Sequence, residues 1–305
     1  MRCVGFVLVN PFVPLNHHAS TPLLQYSGCE RSEPSSQRVS QMSGRALIVD
    51  NDFFFVEFLA ELLEKRGYEV IKAFDGKEGI SKLDEGPIDL LFSNIVMPKI
   101  DGKQFIKFAR IKYPDARFPI ICVSSAMIEQ LDVINEIGAD YYIAKGPIGQ
   151  MGAQLNALMD RIEKQPFVPP TEGLFFEPKN LYPRQATVEL IDTLNFQRAI
   201  TESIGIGIVV VDRDARIINT NSLALDIINK PIVEVLNRQI ATIFPTKEKA
   251  KLIGALKKVI HNRELRKTTF PVTIHSQEIR IIVSLFKIDD GIDGWIIAME
   301  DQGNG

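Results

Sequence analysis

The chain has 305 residues, 45% of them hydrophobic and 24% charged, which describes a globular protein of about two domains. A formal net charge of -3, with no Lys/Arg cluster, offers no basic face for tracking phosphates, so nucleic acid is not an expected partner. Cys3, Cys29 and Cys122 lack metal-ligand spacing and are odd in number, which argues against a disulfide framework and for a reducing, cytoplasmic setting.

Residues 1–44 read as an extension. Met1–Val9 begins like a secretory leader, but Asn10, Pro11 and Pro14 interrupt the apolar run early. From Asn16 to Gly44 the chain is rich in Ser, Gln, Pro and Arg without apolar periodicity, too little to bury and so to order itself. A disordered extension and a misassigned start at or near Met42 both account for it. No apolar run reaches the ~18 residues that a membrane span requires, and no membrane partner is expected.

Residues 45–163 alternate short apolar runs with amphipathic segments. Ala46–Val49, Tyr68–Ala73, Leu90–Ser93, Ile120–Val123 and Tyr141–Ala144 read as strands, with helical stretches such as Val56–Lys65 and Gln104–Ile111 between them. That alternation predicts an α/β doubly wound, five-stranded parallel sheet covered on both faces, with ligands bound at the carboxyl ends of the strands. Asp50, Asn51 and Asp52, Asn94, Ser124 and Lys145 all fall at such ends. On residue types alone this is a small phosphate- or cation-binding pocket.

The stretch Ile88–Gly102, with Met97-Pro98 and Asp101-Gly102 after Asn94, resembles the third strand and following loop of a bacterial response-regulator receiver domain, and the likeness covers the whole segment. The resemblance implies that Asn94 stands where the family has its phospho-accepting aspartate. It likewise implies that Asp50, Asn51 and Asp52 correspond to the acidic segment that holds Mg²⁺, Ser124 to the hydroxyl that follows the phosphoryl group, Lys145 to the cation that pairs with it, and Tyr142 to the switch aromatic. The departures weigh on function. An amide is a poor nucleophile that no nearby base readily activates. With Asn51 and Asn94 in place of carboxylates, Asp50 is the one dependable metal ligand and Asp52 is expected to point outward, so Mg²⁺ binding should be weak at most. Gly146 separates Lys145 from Pro147, which would let the lysine swing.

Plainer roles exist for each residue. Lys145 and Asp50 would make a structural ion pair, with Asn94 hydrogen-bonded to the lysine. Ser124, followed by Ser125, would cap a helix. Ser93 is a conceivable substitute acceptor, but alternation along a strand turns it away from the pocket.

Residues 164–185 read as a linker, because Pro166, Pro169, Pro170, Pro178, Pro183 and Gly173 oppose any regular element. Phe167, Leu174, Phe175 and Phe176 are apolar enough to lie along a domain surface.

Residues 186–303 open with a helix that carries two stripes, Leu190, Ile191 and Leu194 on one side and Phe196, Ile200 and Ile204 on another. A hairpin follows over Gly205–Asn221, closed by an Asp-centred turn. Then come short helices at Ser222–Asn229 and Ile232–Leu236, a longer one at Lys247–His261, and strands at Thr268–Ile274, Glu278–Lys287 and Gly294–Met299. Helices inserted among antiparallel strands make an α+β domain with an antiparallel sheet. Gly207–Asp212, Ile217–Ala224, Ile243-Phe244-Pro245 and Trp295–Asp301 resemble a PAS sensor domain. The segment has no cysteine for a photoactive flavin, and the histidines that could ligate a haem, His261 near the end of the long helix and His275 in the strand that follows, read as surface or satisfied core residues. No cofactor is expected, and any ligand of the PAS-like segment is unknown from sequence.

The expectation is a non-enzymatic two-component protein: a phosphorylation-independent pseudo-receiver joined to a PAS module, acting as an adaptor through contacts with signalling proteins such as a histidine kinase. The alternative is an active phosphorelay response regulator that uses a non-standard acceptor, with ligand sensing by the PAS domain. No nucleotide-dependent output domain or helix-turn-helix is expected after the PAS-like segment. Leu190, Ile191 and Leu194 are expected to form a homodimer interface, and Phe196, Ile200 and Ile204 to pack on their own domain. The competing possibility is that the first stripe covers Leu174, Phe175 and Phe176 of the same chain.

Overall fold

The computed structural model describes residues 44–114, 118–125, 137–164, 167, 174–176, 185–262, 265–288 and 291–302. The extension over residues 1–43 lies outside them, as do the prolines of the linker.

The first half runs β1 (Gly44–Val49), α1 (Phe53–Glu64), β2 (Tyr68–Ala73), α2 (Gly76–Leu83), β3 (Leu90–Ser93), α3 (Gly102–Lys112), β4 (Ile120–Ser124), β5 (Tyr141–Ala144) and α4 (Ile148–Lys164). The strands are parallel in the order β2-β1-β3-β4-β5. β3, β4 and β5 are buried at every position, as a sheet covered on both faces requires. Alternation sorts their side chains into two cores. Leu47, Val49, Leu91, Ile120 and Cys122 pack towards α2 and α3, whereas Ile48, Leu90, Phe92, Ile121 and Ile143 pack towards α1 and α4.

Three aspartates at the carboxyl edge start the helices. Asp52, Asp75 and Asp101 accept the backbone N–H of Phe55, Glu78 and Gln104 at 3.2, 2.8 and 2.8 Å, which caps α1, α2 and α3. Each cap is worth roughly 1 kcal/mol.

One expectation for the linker is overturned. Leu174–Phe176 form a sixth strand, β6, parallel to β5 with Tyr141 opposite Leu174 and Ile143 opposite Phe176. A short edge strand needs only one neighbour, so prolines on either side do not prevent it. Leu174 packs against the α1/α4 core and is therefore committed to the first domain.

The second half comprises α5 (Gln185–Ser203), β7 (Gly207–Asp212), β8 (Ile217–Thr220), α6 (Ser222–Ile228), α7 (Ile232–Val235), α8 (Ile240–Ile243), α9 (Lys249–His261), β9 (Lys267–Ile274), β10 (Gln277–Ile288) and β11 (Gly291–Asp301). Its sheet is antiparallel throughout, in the order β8-β7-β11-β10-β9. Val209, Val211, Ile281, Val283, Ile297 and Met299 fill the face covered by the helices, and the Trp295 indole N–H closes on Leu256 O at 3.1 Å. Buried Asn221 ties the entry to this domain: its Oδ1 accepts from Ile208 N and Ala224 N, and its Nδ2 donates to Thr201 O and Ile206 O.

The stripe on α5 does not behave as its sequence suggests. Phe196, Ile200 and Ile204 are 67%, 48% and 51% exposed, so they do not pack on their own domain, and Leu194 is exposed as well. Gly205, at φ +68°, makes the turn between α5 and β7, a left-handed conformation that favours glycine. The side chains of Leu190 and Ile191 lie outside the described residues.

The two halves meet across α2 and α3. Ile218 and Leu236 are buried in the core that α2 and α3 build, with Val210, Ile232, Val233 and Phe286 packed at its margin. Lys77 of α2 reaches Asp212 at the end of β7 and Asp214 in the turn after it, and Asn237 Nδ2 donates to Lys77 O and Ser81 Oγ.

Candidate functional site

The ends of β1, β3, β4 and β5 bring Asp50, Asn51, Asn94, Ser124 and Lys145 to one edge of the parallel sheet. Asp50 is 1% exposed and Asn94 8%. Asn94 Nδ2 donates to Asn51 Oδ1 at 3.0 Å, Asp50 Oδ1 at 3.2 Å and Val96 O at 3.1 Å, while its Oδ1 accepts from Ile95 N at 2.8 Å. The amide thus works through its nitrogen as a donor to two side chains after β1. A carboxylate there could make none of those three bonds. The expected bond between Lys145 and Asn94 is not formed: the Asn94 Oδ1 that would accept it takes Ile95 N, and the lysine turns to Asp50 and the Phe55 ring.

Lys145 is held from two sides. Its Nζ lies 2.5 Å from Asp50 Oδ2 and 4.2 Å from the centre of the Phe55 ring, so α1 contributes a cation–π face to the pocket. Sequence spacing carried no sign of that ring contact. Burial pushes the Asp50 carboxyl above the usual aspartate range, and the Lys145 ammonium only partly offsets it.

The remaining positions take defined places. Asp52 is exposed and spends its Oδ1 on the cap of α1. Ser124 is fully buried at the end of β4, where its carbonyl accepts from Lys145 N at 2.9 Å. Tyr142 is buried with its hydroxyl accepting from Ala139 N at 3.0 Å, and burial pushes the phenol up to about 12. Ser93 is buried, and its Oγ donates to Asn94 O.

The loop after β3 is built on a close approach. A Cβ on Gly102 would come within 1.8 Å of Asn94 O, so only glycine lets the start of α3 fold back over the strand end. Lys99 of this loop pairs with Asp75 at 2.5 Å, and Asp101 pairs with Arg198 of α5. A cleft of about 380 Å³ opens beside it, lined by Val96, Lys103, Arg198, Glu202 and Asn221 among others. Phe53 and Phe54 at the start of α1 and Phe74 after β2 bring three rings together: Phe53 stacks on Phe74 and meets Phe54 edge-on, with Phe54 83% exposed.

In the second domain, His275 is exposed in the β9–β10 turn with its ring bonded to Ile228 O, and His261 bonds Lys257 O on α9. Among the described residues there is no cluster of His, Cys, Asp and Glu able to hold a metal, and no helix long and apolar enough to cross a membrane.

Residues 46–153 match the family model for the response regulator receiver domain, and residues 201–303 match that for the PAS fold. The alkaline phosphatase synthesis transcriptional regulatory protein PhoP of Bacillus subtilis (strain 168) is 32% identical over 126 residues, 40% of this chain and 51% of that protein. The transcriptional regulatory protein CpxR of Escherichia coli (strain K12) is 34% identical over 120 residues, 38% of this chain and 50% of that protein. The chain spans about half the length of the curated relatives it matches. Among solved structures, a CheY-like receiver domain protein from Methanospirillum hungatei JF-1 is 29% identical, with a TM-score of 0.34, over 39% of this chain and 96% of that one. In this chain a response regulator receiver domain, matched over residues 46–153, precedes a PAS fold, matched over residues 201–303.

Proposed function

We propose that the receiver is a pseudo-receiver: Asn94 occupies the acceptor position, and the domain signals through protein contacts without being phosphorylated. The observation that carries this reading is the bonding of the Asn94 amide, whose nitrogen is engaged by Asp50, Asn51 and Val96 and offers no nucleophilic oxygen to phosphorus. Lys145, engaged by Asp50 and Phe55, fits a pocket held in one state. Mg²⁺ has one carboxylate, Asp50, to bind, which supports weak binding at most.

On this reading the protein is an adaptor in the cytoplasm. Its partners are signalling proteins such as a histidine kinase, and it needs no prosthetic group in the PAS fold. It pairs with a second copy through α5, where Leu190, Ile191 and Leu194 are joined by the exposed Phe196 and Ile200. A surface of that kind supports association because helices in proteins draw most of their stability from packing an apolar face against a partner surface.

The test is intact-mass spectrometry after incubation with acetyl phosphate and Mg²⁺. An unmodified chain is the expected result. An adduct within residues 45–163 overturns the reading and restores the phosphorelay alternative.

A further inference from the structure

Lys77 is the second residue of α2, and its side chain is only 18% exposed. It is clamped by Asp212, whose side chain is 10% exposed, and by Asp214 at 3.0 Å. Burial works against its charge, but the bonds to the two carboxylates outweigh that, and its pKa is held above the ordinary lysine value. Asp212 divides its oxygens: Oδ1 accepts from Asp214 N and Arg216 N and shapes the β7–β8 turn, leaving Oδ2 for Lys77. One turn along α2, Ser81 Oγ and Lys77 O accept from Asn237, a buried residue at φ +60°. Leu236, 1% exposed, and Ile218, 6%, lie beneath these polar contacts in the receiver's α2/α3 core. The other pair on this helix, Lys82 with Glu85, is an ordinary exposed one.

We propose that the α2–α3 face of the receiver is an intramolecular docking site for the PAS segment 231–238, and that Lys77 is its latch. Closed, the latch holds the two domains as one body. Open, it bares Val210, Ile218 and Leu236 as an apolar surface. The proposal does not rest on the pseudo-receiver reading, since Lys77 has no contact with Asn94 or its neighbours in the pocket.

The full chain tests it. Lys77→Glu sets a third carboxylate against Asp212 and Asp214, and it should raise amide exchange in residues 102–112 and 231–238 at least tenfold and enlarge the radius of gyration in X-ray scattering. The far-UV circular dichroism should stay at its wild-type value. Adding Asp212→Asn, whose amide oxygen still serves the β7–β8 turn, should recover part of the loss, a coupling that only a direct pair produces. Lys82→Glu, on the same helix, should change nothing. Wild-type exchange and radius in Lys77→Glu overturn the proposal, as does an equal loosening by Lys82→Glu or the absence of any recovery in the double variant. If Lys77→Glu loses its helical signal, Lys77→Gln decides: exchange in both segments should rise about threefold, and wild-type exchange overturns the latch.

Discussion

Asn94 Nδ2 donates to Asn51 Oδ1 at 3.0 Å, a bond between two amides that joins the end of β3 to the loop after β1. The pair is complementary only as it stands. In Asn94→Asp the Asn51 and Asp50 oxygens each lose a donor, and a second charge arrives beside Asp50. The expected cost is about 1–3 kcal/mol at neutral pH, measured by urea unfolding. The like charge raises the new carboxyl's folded pKa, so the penalty is full above that value and is relieved as pH falls through it.

The double variant Asn94→Asp/Asn51→Asp returns two charges to the same edge and should gain Mg²⁺ binding. Thermal melts with and without millimolar Mg²⁺ check this. The variant should melt higher with the ion, and the wild type should shift little.

Asp50 predicts a pH dependence of a definite sign. Its folded pKa is raised by burial, with Lys145 partly compensating. The folded state therefore holds that proton more tightly than the unfolded chain does. Its contribution to stability is fullest below the unfolded value of about 3.8 and is lost as pH rises through the folded one. The stability of the wild type relative to Asp50→Asn should fall across that window, as chemical unfolding at a series of pH values will read. A difference that grows with pH would contradict the assignment.

Two glycines should respond oppositely to alanine. Gly102→Ala drives a methyl into Asn94 O and should cost more than about 2 kcal/mol, because the clash is with backbone and cannot be relieved by a rotamer. Gly254, inside α9, has nothing within 4 Å of the added carbon, and there alanine should stabilise by up to about 1 kcal/mol. Equilibrium unfolding of both variants measures the contrast.

Phe196→Glu/Ile200→Glu tests association through α5. Light scattering on the full chain should report a dimer for the wild type and a folded monomer for the variant. A wild type that stays monomeric at high concentration removes the interface.

Much of the receiver was legible in the sequence because its signals are local. Runs such as Leu90–Ser93 and Tyr141–Ala144, short, apolar and alternating with amphipathic helical stretches, read as interior parallel strands, and the polar residues that follow them then share one edge. The sixth strand was not legible, since three residues carry no periodicity and the surrounding prolines argue the other way. Phe55 reads as a core residue of α1, and nothing in its spacing marks it as a seat for Lys145. Lys77 and Asp212 stand 135 positions apart, and a lone lysine on a helix looks like any solvated charge until the fold supplies its partners. The stripe on α5 was legible as a pattern, but period alone cannot tell which surface it covers.

The sixth strand also acts on the geometry of the whole chain. By pairing with β5, Leu174–Phe176 pins the connection between the domains partway along its length. From that anchor to the start of α5 at Gln185 the backbone can reach at most roughly 30 Å. A leash so short keeps the PAS fold near the receiver even when their contact is broken, and the high effective concentration favours rebinding over escape. Loosening β6 should therefore weaken the interdomain contact without altering a single residue in it.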